Sequence, residues 1–288
     1  MEQTTHPYQK DSMDSISNAK YLLNEASNVI ILAGAGMSQE LGVATYWTGS
    51  QNQYAGAMSP YGFTDYEHAQ GAMWKTHRAE QIAFYNSTLH GLISTEVTAS
   101  TSPYKILFDY LNQVNKDYFI MTSNVDSAFK RTGFNPEKIY ELHGNRTNSQ
   151  CLDFPKEHGI FPTDIESGNP TKCPECSWDT RPNCLFFVDF EFNPALNRKQ
   201  QDIYASYKRT LEDTATVALE IGAGTTIATI RNESLRLNSK QDIPVIRINT
   251  HDLHNYGGLK NILPKSKTAP FIALEQTARD GLTLLTSQ

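Results

Sequence analysis

Five short apolar runs separated by helical patterns leave this chain few folds to choose from. Val29-Ile30-Ile31-Leu32-Ala33 is followed at once by Gly34-Ala35-Gly36, and similar runs recur at 118–121, 139–142, 217–221 and 245–248. Runs that are apolar throughout mark strands covered on both faces, and strands alternating with helices build an open parallel sheet. Ahead of the first run, Ile16, Ala19, Leu22 and Leu23 recur at helical spacing after Ser12 and Asp14, which predicts a helix ending between Asn24 and Asn28. Ligands in such sheets bind beyond the carboxyl ends of the strands, where the strand order reverses. Four chemically loaded segments fall at those ends: Gly34-Ala35-Gly36, Thr122-Ser123-Asn124-Val125-Asp126, His143-Gly144 and Gly222-Ala223-Gly224-Thr225.

Two stretches break the alternation. Residues 50–100 are polar and aromatic with weak helical patterning, and residues 150–204 carry several prolines and the four cysteines Cys151, Cys173, Cys176 and Cys184. Both read as insertions that together form a small module at the edge of the sheet, leaving 11–49, 101–149 and 205–288 to the sheet-bearing domain; 288 residues are enough for both. No run approaches the roughly 20 apolar residues of a membrane span. The polar segment Met1–Lys20 lacks the apolar stretch of a signal peptide, so the expected location is cytoplasmic. A net charge of -6 with dispersed Lys and Arg argues against a nucleic-acid groove, which needs a basic face.

In a reducing compartment, clustered cysteines point to metal before disulfides. Structural zinc wants four ligands, commonly as two Cys-x-x-Cys pairs. Cys173 and Cys176 form one pair and Cys151 supplies a third thiolate, but the position expected for the fourth is Phe154. Asp153, His158 and Cys184 remain as alternatives, Cys184 lying in an apolar strand and reading as core.

A glycine turn between strand and helix lets the backbone approach a pyrophosphate, whose charge the helix amino terminus favours. Gly34-Ala35-Gly36 meets that need, although position 39 is Gln and an empty tight turn fits equally well. Hydride-transfer chemistry fits poorly, because the acidic residue wanted about 20 positions after the turn is missing until Asp65. The ordered set Gly34-Ala35-Gly36-Met37-Ser38, Gly42-Val43, Thr122-Ser123-Asn124-Val125-Asp126 and Glu141-Leu142-His143-Gly144 resembles the signature blocks of the sirtuins. Cys173-Pro174-Glu175-Cys176 with Arg181-Pro182-Asn183 is similar to part of the sirtuin zinc module, and Glu220–Thr225 and Ile248-Asn249 are similar to the family's later ribose- and adenosine-binding segments.

The resemblance implies an α/β fold with a Rossmann-like open parallel sheet, helices on both faces, and a small inserted module that is helical and zinc-ribbon-like. It implies NAD as co-substrate and an acylated or ADP-ribosylated protein as the second partner, with neither nucleic acid nor membrane. His143 would be the general base acting on the ribose hydroxyls, a role suited to a side chain that titrates near neutrality. Asn124 would hold the ribose or an ordered water, and Asp126 would accept from the nicotinamide carboxamide. Gly34, Ala35, Gly36, Ser38, Ser123, Gly222, Gly224 and Thr225 would contact phosphate or ribose, Asn249 the adenosine half, and Tyr46 would shield the reacting face. Zinc would sit on Cys151, Cys173 and Cys176 with a fourth ligand.

Departures from the family matter as much. Where deacylating sirtuins continue with Pro-Asp-Phe-Arg, this chain has Ala44-Thr45-Tyr46-Trp47, so the acid and the arginine are gone. Macrodomain-linked sirtuins, which resemble ADP-ribosyltransferases, lack them too but carry Gln where this chain keeps His143. Phe187-Val188-Asp189 stands where the family has Phe-Gly-Glu or Phe-Gly-Asp, on a wall of the peptide channel that pairs with substrate as an added strand. The expected activity is cleavage of the nicotinamide–ribose bond for protein-lysine deacylation. The alternatives are ADP-ribosyl transfer or NAD hydrolysis, and a non-catalytic module that binds NAD or ADP-ribose.

Overall fold

The structure, a computed structural model, describes residues 12–43, 69–153, 156–164, 171–211, 214–254 and 268–287. In chain order the strands are β1 (Asn28–Ala33), β2 (Asp117–Thr122), β3 (Ile139–Glu141), β4 (Gly144–Cys151), β5 (Ile160–Pro162), β6 (Thr180–Cys184), β7 (Thr216–Ile221), β8 (Val245–Asn249) and β9 (Phe271–Glu275). Six of them form one sheet in the order β3-β2-β1-β7-β8-β9, and every pairing in it is parallel. The first connections step outward from β1 to β2 and β3; the chain then returns to the other side of β1. The order therefore reverses between β1 and β7, the switch point of a Rossmann-like sheet. All five expected strands are present. β9 is an addition: it lies at the sheet edge, with Phe271, Ile272 and Ala273 partly exposed, although Phe271-Ile272-Ala273-Leu274 is itself an apolar run like the others.

Alternate residues of the buried strands serve two cores. Val29, Ile31 and Ala33 face the layer made by α1 (Ser12–Glu25), while Ile30 and Leu32 face the opposite layer. Each fully buried aliphatic side chain contributes about 1.5–3 kcal/mol, so the uninterrupted runs stabilise both layers at once. The remaining helices are α2 (Gly36–Gln39), α3 (Met73–Thr76), α4 (Arg78–Ile93), α5 (Pro103–Gln113), α6 (Ala128–Thr132), α7 (Ala195–Arg209), α8 (Thr229–Gln241) and α9 (Ala278–Thr286). None of the described helices is long and apolar enough to cross a membrane.

β4, β5 and β6 form a second, antiparallel sheet, ordered β5-β4-β6, and most of β4 falls before residue 150, where the second insertion is expected to begin. β4 begins at Gly144, immediately after His143, so this sheet grows straight out of the carboxyl end of β3. Gly144 has φ +67°, and a Cβ there would lie 2.0 Å from the Asn183 carbonyl, so only glycine lets β4 and β6 meet at this corner. The corner is pinned by Glu141, which is buried and takes Lys130 Nζ and Asn145 Nδ2 at 2.7 Å each. Asn197 on α7 donates to the Glu141 and Leu142 carbonyls at 2.7 and 2.9 Å.

Candidate active site

The two glycine turns meet backbone to backbone at the switch point. Gly34 N donates to the Ile221 carbonyl and Gly36 N to the Gly222 carbonyl, both at 2.9 Å. Gly222 has φ +61°, and a Cβ on it would lie 2.4 Å from Met37 N; one on Gly36 would lie 2.8 Å from Gly222 Cα. No side chain fits at either position.

Above this junction opens a cavity of about 650 Å³. Ala35, Gly36, Ser38, Ser123, Asn124, Asp126, His143, Gly222, Gly224 and Asn249 all line it. Five segments far apart in sequence are thus brought to one space. Gly34 is buried behind the lining, and Thr225 sits beside it with Oγ1 3.2 Å from Asp252 Oδ2. Tyr46 and the rest of Ala44-Thr45-Tyr46-Trp47 lie outside the described residues.

Around Asn124, polar groups are dense and mutually bonded. Asn124 Nδ2 donates toward the Gly34 carbonyl, Ser38 Oγ and Tyr104 Oη, each at 3.1 Å. Ser38 Oγ donates to Asp126 Oδ2 at 2.5 Å and lies 2.6 Å from Tyr104 Oη. Ala128 N donates to Asp126 Oδ1 at 2.9 Å. Burial pushes the Asp126 carboxyl above its ordinary value; the bonds from Ser38 and Ala128 and the Arg131 charge oppose the shift. His143 is partly buried, and burial lowers its pKa, with a backbone hydrogen bond at Ser123 working the other way. A neutral imidazole facing a cavity is the form that can accept a proton.

Asn249 Nδ2 and Arg231 Nε both donate to the Ala223 carbonyl at 2.8 Å, and Arg231 Nη1 reaches the Asp252 carbonyl at 2.6 Å, so the second turn is held from beneath. Beneath the same region Glu220 on β7 and Arg247 on β8 form a fully buried pair, Nε to Oε1 2.7 Å. The cavity also has an apolar lining of Phe84, Leu92, Leu185, Phe186 and Phe187. Arg146 crosses that wall: it is buried, bonds Thr88 Oγ1 at 2.9 Å, and its guanidinium lies 4.9 Å from the Tyr85 ring centre. Tyr104, Arg146 and Arg231 escape sequence reading. An aromatic beginning a helix reads as core, and a lone arginine carries no motif.

In the segment Phe186–Asp189 the backbone is already paired within the chain. Phe187 N donates to the Ala69 carbonyl and its carbonyl accepts from Gly71 N, at 2.9 and 2.8 Å, so both of its strand-pairing groups are engaged within the chain. Val188 has φ +50° and is 67% exposed. A β-branched residue in the left-handed region costs about 1–2 kcal/mol, and so exposed a side chain returns little packing. Val188→Gly is expected to raise stability by about 1 kcal/mol, the strain relief exceeding glycine's entropic cost. A urea midpoint unchanged or lowered in that variant would show that Val188 is not strained.

The cysteine cluster resolves the open fourth ligand. Donor atoms of Cys151, His158, Cys173 and Cys176 all lie within 4.8 Å of one another. Zn–S near 2.3 Å and Zn–N near 2.0–2.1 Å at tetrahedral angles separate two thiolates by about 3.8 Å and a thiolate from an imidazole by about 3.5 Å. Cys151 Sγ–Cys176 Sγ is 3.7 Å and Cys173 Sγ–His158 Nδ1 is 3.3 Å, so the set fits zinc. Asp153 pairs instead with Arg78 at 3.1 Å, and Phe154 lies outside the described residues. Cys184 lines the cavity, its thiol pushed up to about 12 by burial, and takes no part in the cluster.

Comparison with known proteins agrees with this geometry. The chain is 28% identical over 161 residues to the NAD-dependent histone deacetylase sir2 of Schizosaccharomyces pombe, which covers 54% of this chain and 32% of that protein. It is 24% identical over 274 residues to a "Probable bifunctional ADP-ribose hydrolase/ADP-ribosyltransferase" of Fusarium oxysporum f. sp. cubense, covering 84% of this chain and 43% of that protein. The chain therefore spans less than half the length of either relative. The crystal structure of a Sir2 homolog–NAD complex superposes with a TM-score of 0.63 at 17% identity, covering 99% of this chain and 95% of the other, and so shares the fold. The profile described as "Sir2 family" matches residues 34–224, about two thirds of the sequence, and includes the cavity-lining segments from Ala35 to Gly224; the chain belongs to the Sir2 family.

Proposed function

We propose that this chain cleaves the nicotinamide–ribose bond of NAD and transfers an acyl group from a protein lysine to the ADP-ribose product. The observation that carries this reading is the shape and chemistry of one cavity. Two joined glycine turns, the polar group Ser38, Asn124 and Asp126, the His143 imidazole, and the apolar side chains Phe84, Leu92, Leu185, Phe186 and Phe187 all line it. The segments that build the parallel sheet serve as the NAD-binding domain, and the α4 residues Phe84 and Leu92, Arg146 on β4 and the 185–187 segment supply the acceptor side. Gly36 and Gly222 let the pyrophosphate approach the backbone, and Asn249 faces the adenosine half. Asp126 accepts from the carboxamide of nicotinamide. As that group leaves with the bonding pair, positive charge develops on the ribose, close to the buried Asp126 carboxylate. The acyl oxygen of the lysine substrate takes the place of nicotinamide on the ribose carbon. His143 then takes the proton of a ribose hydroxyl, whose oxygen bonds to the acyl carbon; the lysine amine leaves that carbon with a proton, and water adds there as the bond to the first oxygen breaks, leaving that oxygen as the hydroxyl on the ribose carbon. The apolar lining accommodates the aliphatic stem of an acylated lysine. In the zinc cluster, Cys151, His158, Cys173 and Cys176 would hold a structural ion that ties β4 to the 173–176 turn.

A second reading, ADP-ribosyl transfer or NAD hydrolysis, is favoured by the missing acid and arginine at Ala44–Trp47 and by the length of the match to the Fusarium protein. The two differ only in what attacks the ribose carbon. Incubation with NAD, with and without an acylated peptide, and measurement of nicotinamide decides between them. Release that requires the acyl peptide is the expected result. Release without peptide favours transfer or hydrolysis, and binding without release would leave a sensor of NAD or ADP-ribose.

A further inference from the structure

Asn124 cannot present either end of its amide freely. Its Nδ2 lies 3.1 Å from the Gly34 carbonyl oxygen, and a backbone carbonyl only accepts, so the nitrogen must face it. The second amide hydrogen is shared between Ser38 Oγ and Tyr104 Oη, each 3.1 Å away. With both hydrogens engaged, Oδ1 is the group left to meet a ligand. The neighbouring bonds have a fixed direction as well. An ionised Asp126 only accepts, so Ser38 spends its single proton on Oδ2 at 2.5 Å. Ser38 Oγ must then accept across the 2.6 Å contact with Tyr104 Oη, and the phenol is the donor.

We propose that Tyr104 is a positioning residue: its hydroxyl starts a one-way chain, Tyr104 to Ser38 to Asp126, that holds Asp126 as an acceptor and locks Asn124 with its carbonyl oxygen toward the cavity. Tyr104 itself is fully buried and lines no part of the cavity, so it acts only through its neighbours. It stays protonated, because burial and then the Asp126 charge raise its pKa well above that of a free phenol. The charged groups acting on Asp126 are Arg131 on α6, which favours the carboxylate, and Glu141 on β3, which disfavours it; Tyr104 on α5 faces it as a neutral phenol.

The consequence for turnover rests on the NAD-cleaving reading above. A ribose hydroxyl or water can donate to Asn124 only while its oxygen faces inward, and a carboxamide N–H can donate to Asp126 only while the carboxyl is ionised. Tyr104→Phe removes the phenol proton and keeps the ring, which packs edge-on against Phe129 at 4.8 Å between centroids. Ser38 then loses its donor and can turn its own proton away from Asp126.

The test uses the full chain and two readouts. In nicotinamide release from NAD, Tyr104→Phe is expected to lower kcat about tenfold with KM for NAD changed less than about threefold, the loss of one oriented hydrogen bond. In a carbon-13 NMR titration, the Asp126 carboxyl of the variant is expected to titrate about one pH unit higher than in the parent chain, because one bond to the charged form is lost. Ser38→Ala should produce the same upward shift and Ser38→Thr, which restores a hydroxyl, should reverse it; this pair decides the matter should Tyr104→Phe fail to fold. Should the parent chain release no nicotinamide, the NAD-cleaving reading falls, and the titration alone still judges the positioning role. An Asp126 titration unmoved by loss of either hydroxyl overturns it.

Discussion

Replacement of His143 by alanine is expected to lower acyl transfer by about 10²–10⁴-fold, the usual worth of a positioned general base, while NAD affinity stays within about twofold. The floor that would hold the dinucleotide is backbone from two glycine turns, and His143 contributes nothing to it. The pH profile should carry the same signature. Burial lowers the pKa of His143, so the neutral base predominates at neutral pH. Activity is then lost as pH falls through a value below the ordinary histidine pKa of about 6.5, not at or above it. Isothermal titration with NAD and a single-turnover assay check the two halves. A variant that turns over at the parent rate under saturating NAD removes His143 from the mechanism.

Loss of the metal should have the largest effect on stability. Elemental analysis is expected to find one zinc per chain, and Cys173→Ser to abolish it. Binding free energy of a structural zinc is folding free energy, on the order of 10 kcal/mol in small metal-bound modules. Few apolar contacts support the 173–176 turn, since Cys151 and Cys173 are buried but Cys176 is exposed and Trp178 is half-exposed; what remains is hydrogen bonds such as Gly159 N to Glu175 Oε1 at 2.7 Å. Limited proteolysis of the variant should cut near the turn while the parallel sheet stays resistant. His158→Cys should keep the ion, since a thiolate can take the imidazole's place in a tetrahedral set. An intact, protease-resistant fold free of metal in the parent chain would exclude zinc as a structural element.

The parallel sheet was legible because its strands are apolar on both faces, and both glycine turns were legible because they follow those strands without a gap. β4 was silent for the opposite reason. Its sequence, Gly-Asn-Arg-Thr-Asn-Ser-Gln-Cys, is almost wholly polar, yet Asn145 and Gln150 are fully buried. They are satisfied by side-chain partners, Asn145 by Glu141 at 2.7 Å and Gln150 by Asn183 at 2.8 Å, which hydropathy does not register. His158 was one candidate among three because the chain loops between Cys151 and Cys173 and sequence spacing does not reveal which residue the loop turns inward. Tyr104 was hidden by its type: only its contacts with Ser38 and Asn124 separate it from the packing aromatics around it. What sequence order did convey was the grouping of Ser38, Asn124, Asp126 and His143, because each sits just past a strand end and the sheet brings strand ends together.

His143 occupies the seam where one sheet ends and the other begins: β3 stops at Glu141, β4 starts at Gly144, and Leu185 N donates to the His143 carbonyl at 2.9 Å. The backbone of this residue is therefore tied to both sheets, and the Phe186–Phe187 wall follows directly on Leu185. An imidazole anchored this way holds its aim between the glycine turns and the aromatic wall, so the proton acceptor and the acceptor side of the cavity are built as one piece.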